Sequence, residues 1–148
     1  MITFEDVKNN EEVNSLIIGA QKQLDALGYT EHATRHISIV SNRAGYVLKE
    51  LGYNEHRIEL AKIAGYMHDI GNCVNRVDHA HSGAILAYNI LKEIGMDIKD
   101  RTEIMMAIGN HDEATGTAVS DISAALILAD KSDVHRDRVR NPNISSFD

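Results

Sequence analysis

Leu60-Ala61-Lys62-Ile63-Ala64-Gly65-Tyr66-Met67-His68-Asp69-Ile70-Gly71 is the stretch that decides how this chain folds. Its spacing predicts the last turns of a helix, with Leu60, Ala64 and His68 on one face. The first two are apolar, so the His68 imidazole stands where a core would ordinarily hold Leu. Asp69 lies about 100° further round the axis. A carboxylate near a core face is costly unless it is paired or bound to a metal. Adjacent His and Asp at a helix end can both reach one cation. A lone His-Asp pair arises often by chance, and its meaning depends on what other elements place beside it.

Working outward, three segments end alike: Leu27-Gly28-Tyr29, Leu51-Gly52-Tyr53 and Ile94-Gly95-Met96. Gly just past a helix takes the left-handed conformation, and the apolar residue after it packs back on the last turn. No period-two alternation supports a strand. The fold class expected is all-α, a single-domain bundle of six principal helices. The first runs over 9–27. The second begins near Thr30 as N-cap and carries the stripe His36, Val40, Ala44, Val47, Leu48, Leu51. Asn54 caps the third, which ends in His68-Asp69, and residues 71–77 form a connecting loop. Asp78 reads as N-cap of the fourth, from about His79 to Ile94. Asp100 or Thr102 opens the fifth, which ends at Gly109-Asn110-His111. Ser120 caps the sixth, whose run Ile122 to Ala129 is apolar nearly all round and is expected to be central and buried. Residues 1–29 are expected to form an N-terminal helix packed on the core, 30–140 the main domain, and 141–148 a flexible tail.

The 148 residues suffice for one substantial core, and 43% are apolar. No run approaches the length needed to span a bilayer, about 20 apolar residues. The start, Met1 to Asp6, lacks a signal peptide's basic and apolar regions, and Cys73 is the single cysteine. A cytoplasmic setting is therefore expected, with no membrane partner. A net charge of −7 argues against nucleic acid as a partner over most of the surface. The exception is the basic end, with Lys131, Arg136 and Arg140 in one segment. His32, His56 and His135 are expected to be exposed, and His81 to lie on the surface or to face substrate.

His36, His68, Asp69 and Asp130 share one property: each is a metal-competent group where the helical pattern calls for an apolar one. They come from three helices, and side chains converging from separate helices are how bundles build metal sites. Any one of them could be a core polar group satisfied by a neighbour. All four together would require several independent coincidences.

This pattern resembles the H…HD…D signature of the HD-domain superfamily of metal-dependent phosphohydrolases, over residues from about Thr30 to Arg140. His68-Asp69-Ile70-Gly71 matches the HDIG variant. His79 to Leu86 resembles the H-x-x-x-G-A-x-[IL]-L segment of a subset with additional histidine ligands, and Ala107 to His111 resembles the subset's next histidine segment. That subset includes the HD-GYP cyclic-dinucleotide phosphodiesterases and the HD-type diadenosine tetraphosphate hydrolases. The chain departs from the first in having Asn72 where Lys follows HDIG, Asn110-His111 where two histidines stand, and no GYP. From the second it departs at Asp112, where Thr is usual, while Asp133 and Arg136 stand where Glu and Arg end the helix.

The resemblance implies a hydrolase acting on a small-molecule phosphate ester, with a nucleotide first in line, through a metal-activated water. It implies one or two divalent transition-metal ions (Fe, Mn, Co, Ni or Zn). His36, His68, Asp69 and Asp130 would hold the first ion, and His79 and His111 the second, with Asp69 as bridge. Asp69 and Asp112 are the candidate catalytic residues, Asp112 either as general acid or as a support behind the ligating His111. Lys131, Arg136 and Arg140 are candidates for substrate phosphates, or else form a solvated basic helix end that favours the helix dipole. A homodimer stays open. So do two other readings: a di-iron oxygenase on the same fold, and a non-catalytic nucleotide-sensing module.

Overall fold

The computed structural model describes residues 1–112 and 116–134. In order these form α1 (Phe4–Lys8), α2 (Glu11–Ala26), α3 (Ala33–Glu50), α4 (Glu55–Met67), a 3₁₀ turn (Ile70–Cys73), α5 (His79–Glu93), α6 (Ile98–Gly109) and α7 (Asp121–Lys131). No strand occurs among the described residues, so the fold is all-α. The six principal helices are α2 to α7. Short α1 was not anticipated, although Thr3 and Asp6 carry its signal: Thr3 caps the Asp6 N–H and Asp6 bonds back to the Thr3 N–H.

The three glycine stops are realised, with φ of 86° at Gly28, 84° at Gly52 and 94° at Gly95. Each is followed by the return bond of that helix ending: Tyr29 N–H to Leu24, Tyr53 N–H to Leu48 and Met96 N–H to Leu91. Helix starts differ more from expectation. Helix α3 starts at Ala33 rather than after Thr30, and His32 at its N-cap contributes no side-chain bond. The cap comes from another helix. Gln21 on α2 accepts the Ala33 N–H at 2.6 Å and donates to the Glu31 carbonyl at 2.9 Å. Asp78 precedes α5 in a left-handed conformation, with no capping bond from its side chain. Helix α6 starts earlier than Asp100, because Asp97 accepts from the Lys99 N–H.

The helix enclosed on most sides is α4, not α7. Ile58, Leu60, Ala61, Ile63, Ala64, Gly65, Tyr66 and Met67 are all buried. Helices α1, α3, α6 and α7 pack around it. Helix α7 packs on α3, α4 and α6 but leaves Leu128 58% exposed, since none of these covers its outer face. Leu51, expected to close the α3 stripe, is likewise exposed. Helix α5 lies against α6, and α2 lies across the 3₁₀ turn. There Gln23 donates to the carbonyls of Cys73 at 3.3 Å and Val74 at 2.9 Å.

Arg57 ties three helices together. It donates to Glu103 of α6 at 2.6 and 2.9 Å and to both carboxylate oxygens of Asp121 at the start of α7. The bonds to Glu103 first, then those to Asp121, hold the guanidinium pKa above its ordinary value. Burial pushes the Asp121 carboxyl up, but the Arg57 bonds outweigh it and the net shift is downward. A depressed carboxyl stabilises the fold above its unfolded pKa, and that stability is lost as pH falls through the folded value. We predict that Arg57→Ala lowers unfolding stability by about 1–3 kcal/mol, because two half-buried carboxylates lose their partner. The deficit should shrink between neutral and acid pH, as Asp121 protonates at its depressed pKa. Urea unfolding at both pH values checks this; a deficit that grows in acid would contradict it.

Candidate metal centre

The His-Asp pair sits where α4 ends and the chain turns sharply into the 3₁₀ turn. His68 is the last residue to continue the helix, and Asp69 leaves it at φ −106°, ψ 8°. The turn lies hard against the start of α5. A Cβ on Gly71 would stand 1.9 Å from the His79 carbonyl oxygen, so only glycine fits. This contact brings His79 beside Asp69. His36 enters from α3, His111 from the end of α6, and Asp130 from the last turn of α7.

Asp69 faces both ways. Its Oδ2 lies 3.5 Å from His36 Nε2 and 3.2 Å from His68 Nε2. Its Oδ1 lies 3.5 Å from both His79 Nε2 and His111 Nε2. Asp130 Oδ1 closes the first group, 3.0 Å from His36 Nε2 and 3.6 Å from His68 Nε2. The two imidazole nitrogens of that group are 3.2 Å apart. Donors about 2.1 Å from one tetrahedral centre are separated by about 3.4 Å, so these spacings fit a single cation. Imidazole with carboxylate oxygen suits first-row transition metals.

The far nitrogens fix the tautomers. His68 Nδ1 donates to the Gly65 carbonyl at 2.7 Å, His79 Nδ1 to Arg76 at 3.1 Å, and His111 Nδ1 to Ile108 at 2.6 Å. His36 Nδ1 donates to the Asp133 carboxylate at 2.8 Å. Carbonyls and carboxylates only accept, so each Nδ1 carries hydrogen and each ring turns its Nε2 inward. Lone pairs and carboxylates crowded in a buried space repel unless a cation or a proton lies among them. Burial opposes charge on His68, yet Asp69 and Asp130 beside it hold its pKa well above the ordinary value. Burial also opposes the Asp69 charge, which His68 and the other imidazoles nevertheless hold well below the usual carboxylate range.

Asp133 was anticipated only as a partial match to a helix-end Glu. It is buried and accepts from Arg35 at 2.9 and 3.2 Å as well as from His36. Such a carboxylate orients a ligating imidazole and raises its basicity. We predict that Asp133→Asn weakens metal affinity about 10–100-fold without unfolding the protein. Competition with a chromogenic chelator measures it, and unchanged affinity would remove Asp133 from this role.

A cavity of about 400 Å³ opens onto the cluster, lined by Asp69, Arg76, His79, His111, Asp112, Asp130 and Lys131. Asp112 is thus at the cavity, half-buried, and Lys131 is exposed at its edge. Arg136, Arg140 and His135 lie outside the described residues. His81 is exposed and turns toward Asp78, away from the cavity lining. Cys73 packs its thiol on Gly19 of α2. His32 is exposed as expected, but His56 is half-buried and meets Asp100 at 3.1 Å. Two residues were missed from sequence. Glu31 is buried and places a carboxylate oxygen among donors of His36 and Asp69, although its position reads as an ordinary helix start. Arg76 reads as one more loop cation.

The HD domain family model matches residues 34–137. The chain belongs to the HD-domain family. Members of this family are typically metal-dependent hydrolases, and this HD chain carries His and Asp groups able to hold a metal. It is 30% identical over 162 residues to Uncharacterized protein MJ1020 of Methanocaldococcus jannaschii, spanning 94% of this chain and 62% of that protein. It is also 30% identical over 119 residues to Ribonuclease Y of Acetivibrio thermocellus, and 29% identical over 119 residues to Ribonuclease Y of Enterococcus faecalis. Each of those alignments spans 80% of this chain and 21% of the relative. No solved structure gives a match. Among the described residues no helix is long and apolar enough to cross a membrane.

Proposed function

We propose that this HD-domain chain is a metal-dependent phosphohydrolase that cleaves a phosphate ester, a nucleotide first in line. One observation carries this: four imidazoles, each pinned at Nδ1, direct their Nε2 atoms onto the two oxygens of one carboxylate. His36, His68, Asp69 and Asp130 would hold one ion, and Asp69, His79 and His111 a second. Bound divalent metal supplies an acidified water and polarises the phosphoryl oxygens. Asp69, shared between the two groups, fixes their separation. Asp112 at the cavity would protonate the leaving oxygen, and Lys131 would neutralise phosphate charge at the rim.

The Ribonuclease Y relatives bear a nuclease name, which puts a short RNA beside nucleotides among the substrates to try. The net charge of −7 favours the smaller ones. The test is a panel of nucleotides, dinucleoside polyphosphates, simple esters and a short RNA, assayed under Mn, Fe, Co and Ni. Oxygen consumption is followed in the ferrous arm. Metal-dependent ester cleavage is expected; oxygen uptake without cleavage under any metal would replace this reading with an oxygenase.

A further inference from the structure

We propose that Arg76 grips the phosphoryl group of the substrate and that Asn72 positions it to do so; this rests on the phosphohydrolase reading. Arg76 lies on the loop between the 3₁₀ turn and α5 and lines the cavity over the cluster. Its guanidinium donates to the Asn72 side-chain oxygen at 3.2 Å. Asn72 is itself buried and donates to the Asp69 carbonyl at 3.1 Å. The guanidinium is therefore tied, through one amide, to the backbone of the bridging carboxylate residue. The Tyr29 ring, just beyond the glycine stop that ends α2, supports it, 5.6 Å from the guanidinium carbon to the ring centre.

The choice of partner is informative. Arg57 and Arg35 are engaged by carboxylates, while Arg43 donates to Ser132 and Arg101 to the Met96 carbonyl, and none of these four lines the cavity. Arg76 is held by a neutral amide, and no described carboxylate lies within ion-pair distance of it. Its guanidinium is fixed in place at a cavity that Asp69, Asp112 and Asp130 also line. A planar fork held this way presents its remaining N–H donors for bidentate contact with phosphate oxygens. The site so read takes an anion carrying a terminal or bridging phosphoryl group. Asn72 then has a role of its own, joining Arg76 to the backbone of Asp69.

The test titrates metal-loaded protein with inorganic phosphate by calorimetry, comparing parent, Arg76→Ala and Arg76→Gln. Phosphate affinity should fall about tenfold or more in both variants, as expected for losing a charge-assisted pair. Metal content and the unfolding midpoint should stay at parent values. With a cleaved ester in hand, KM should rise by a similar factor while kcat changes less. Unchanged phosphate affinity in either variant at full metal occupancy would overturn the assignment, as would a parent that binds no phosphate. If Arg76→Ala sheds metal, Arg76→Gln gives the deciding titration. Phosphate binding through Arg76 without cleavage of any ester would support this assignment and remove the hydrolase reading.

Discussion

Asp69→Ala is expected to strip the protein of metal and to lower activity by at least about 10³-fold, leaving the helical fold intact. The size of the effect follows from geometry. Asp69 Oδ2 faces His36 and His68, while Oδ1 faces His79 and His111, so one truncation removes a ligand from both groups. The fold should survive because Asp69 stands beyond the last turn of α4, whose apolar residues are untouched. Asp130→Asn, which keeps the side-chain volume, should be milder. Metal analysis after desalting, with circular dichroism on the same samples, checks both. Stoichiometric metal retained in Asp69→Ala would mean the centre lies elsewhere.

His79→Ala and His111→Ala should each lower the metal count from about two to about one, with activity falling steeply. His79 begins α5 and His111 follows α6, and both reach the same oxygen of Asp69 at 3.5 Å. The other oxygen is shared by a separate group, so the first ion should remain. His36→Ala is the contrast, since it should disturb the first ion and leave the second group whole. If the parent holds about one ion and neither His79→Ala nor His111→Ala changes that count, the site is mononuclear.

Sequence made the candidate cluster legible because its residues violate a pattern. His36 interrupts an apolar stripe and His68 ends one, and the structure buries both completely. The helix ends were equally readable, since glycine stops are local chemistry. Helix starts were less so: α3 is capped by Gln21 from another helix, which no local rule can foresee. The enclosed helix was misassigned for the same reason. An apolar run such as Ile122 to Ala129 shows what could be buried, whereas neighbours decide what is, and α4 has more of them. Asp133 was read only as a partial match and Arg76 not at all, because what sets them apart is what they touch, His36 in one case and Asn72 in the other. A loop arginine and a helix-end aspartate are otherwise unremarkable in a chain that is 25% charged.

The central claim is that Asp69 bridges two ions, and anomalous diffraction from a crystal grown with manganese tests it most directly. The account predicts two peaks flanking Asp69, one on the side of His36, His68 and Asp130, the other on the side of His79 and His111. A single fully occupied peak, with His79 and His111 left uncoordinated, would contradict it.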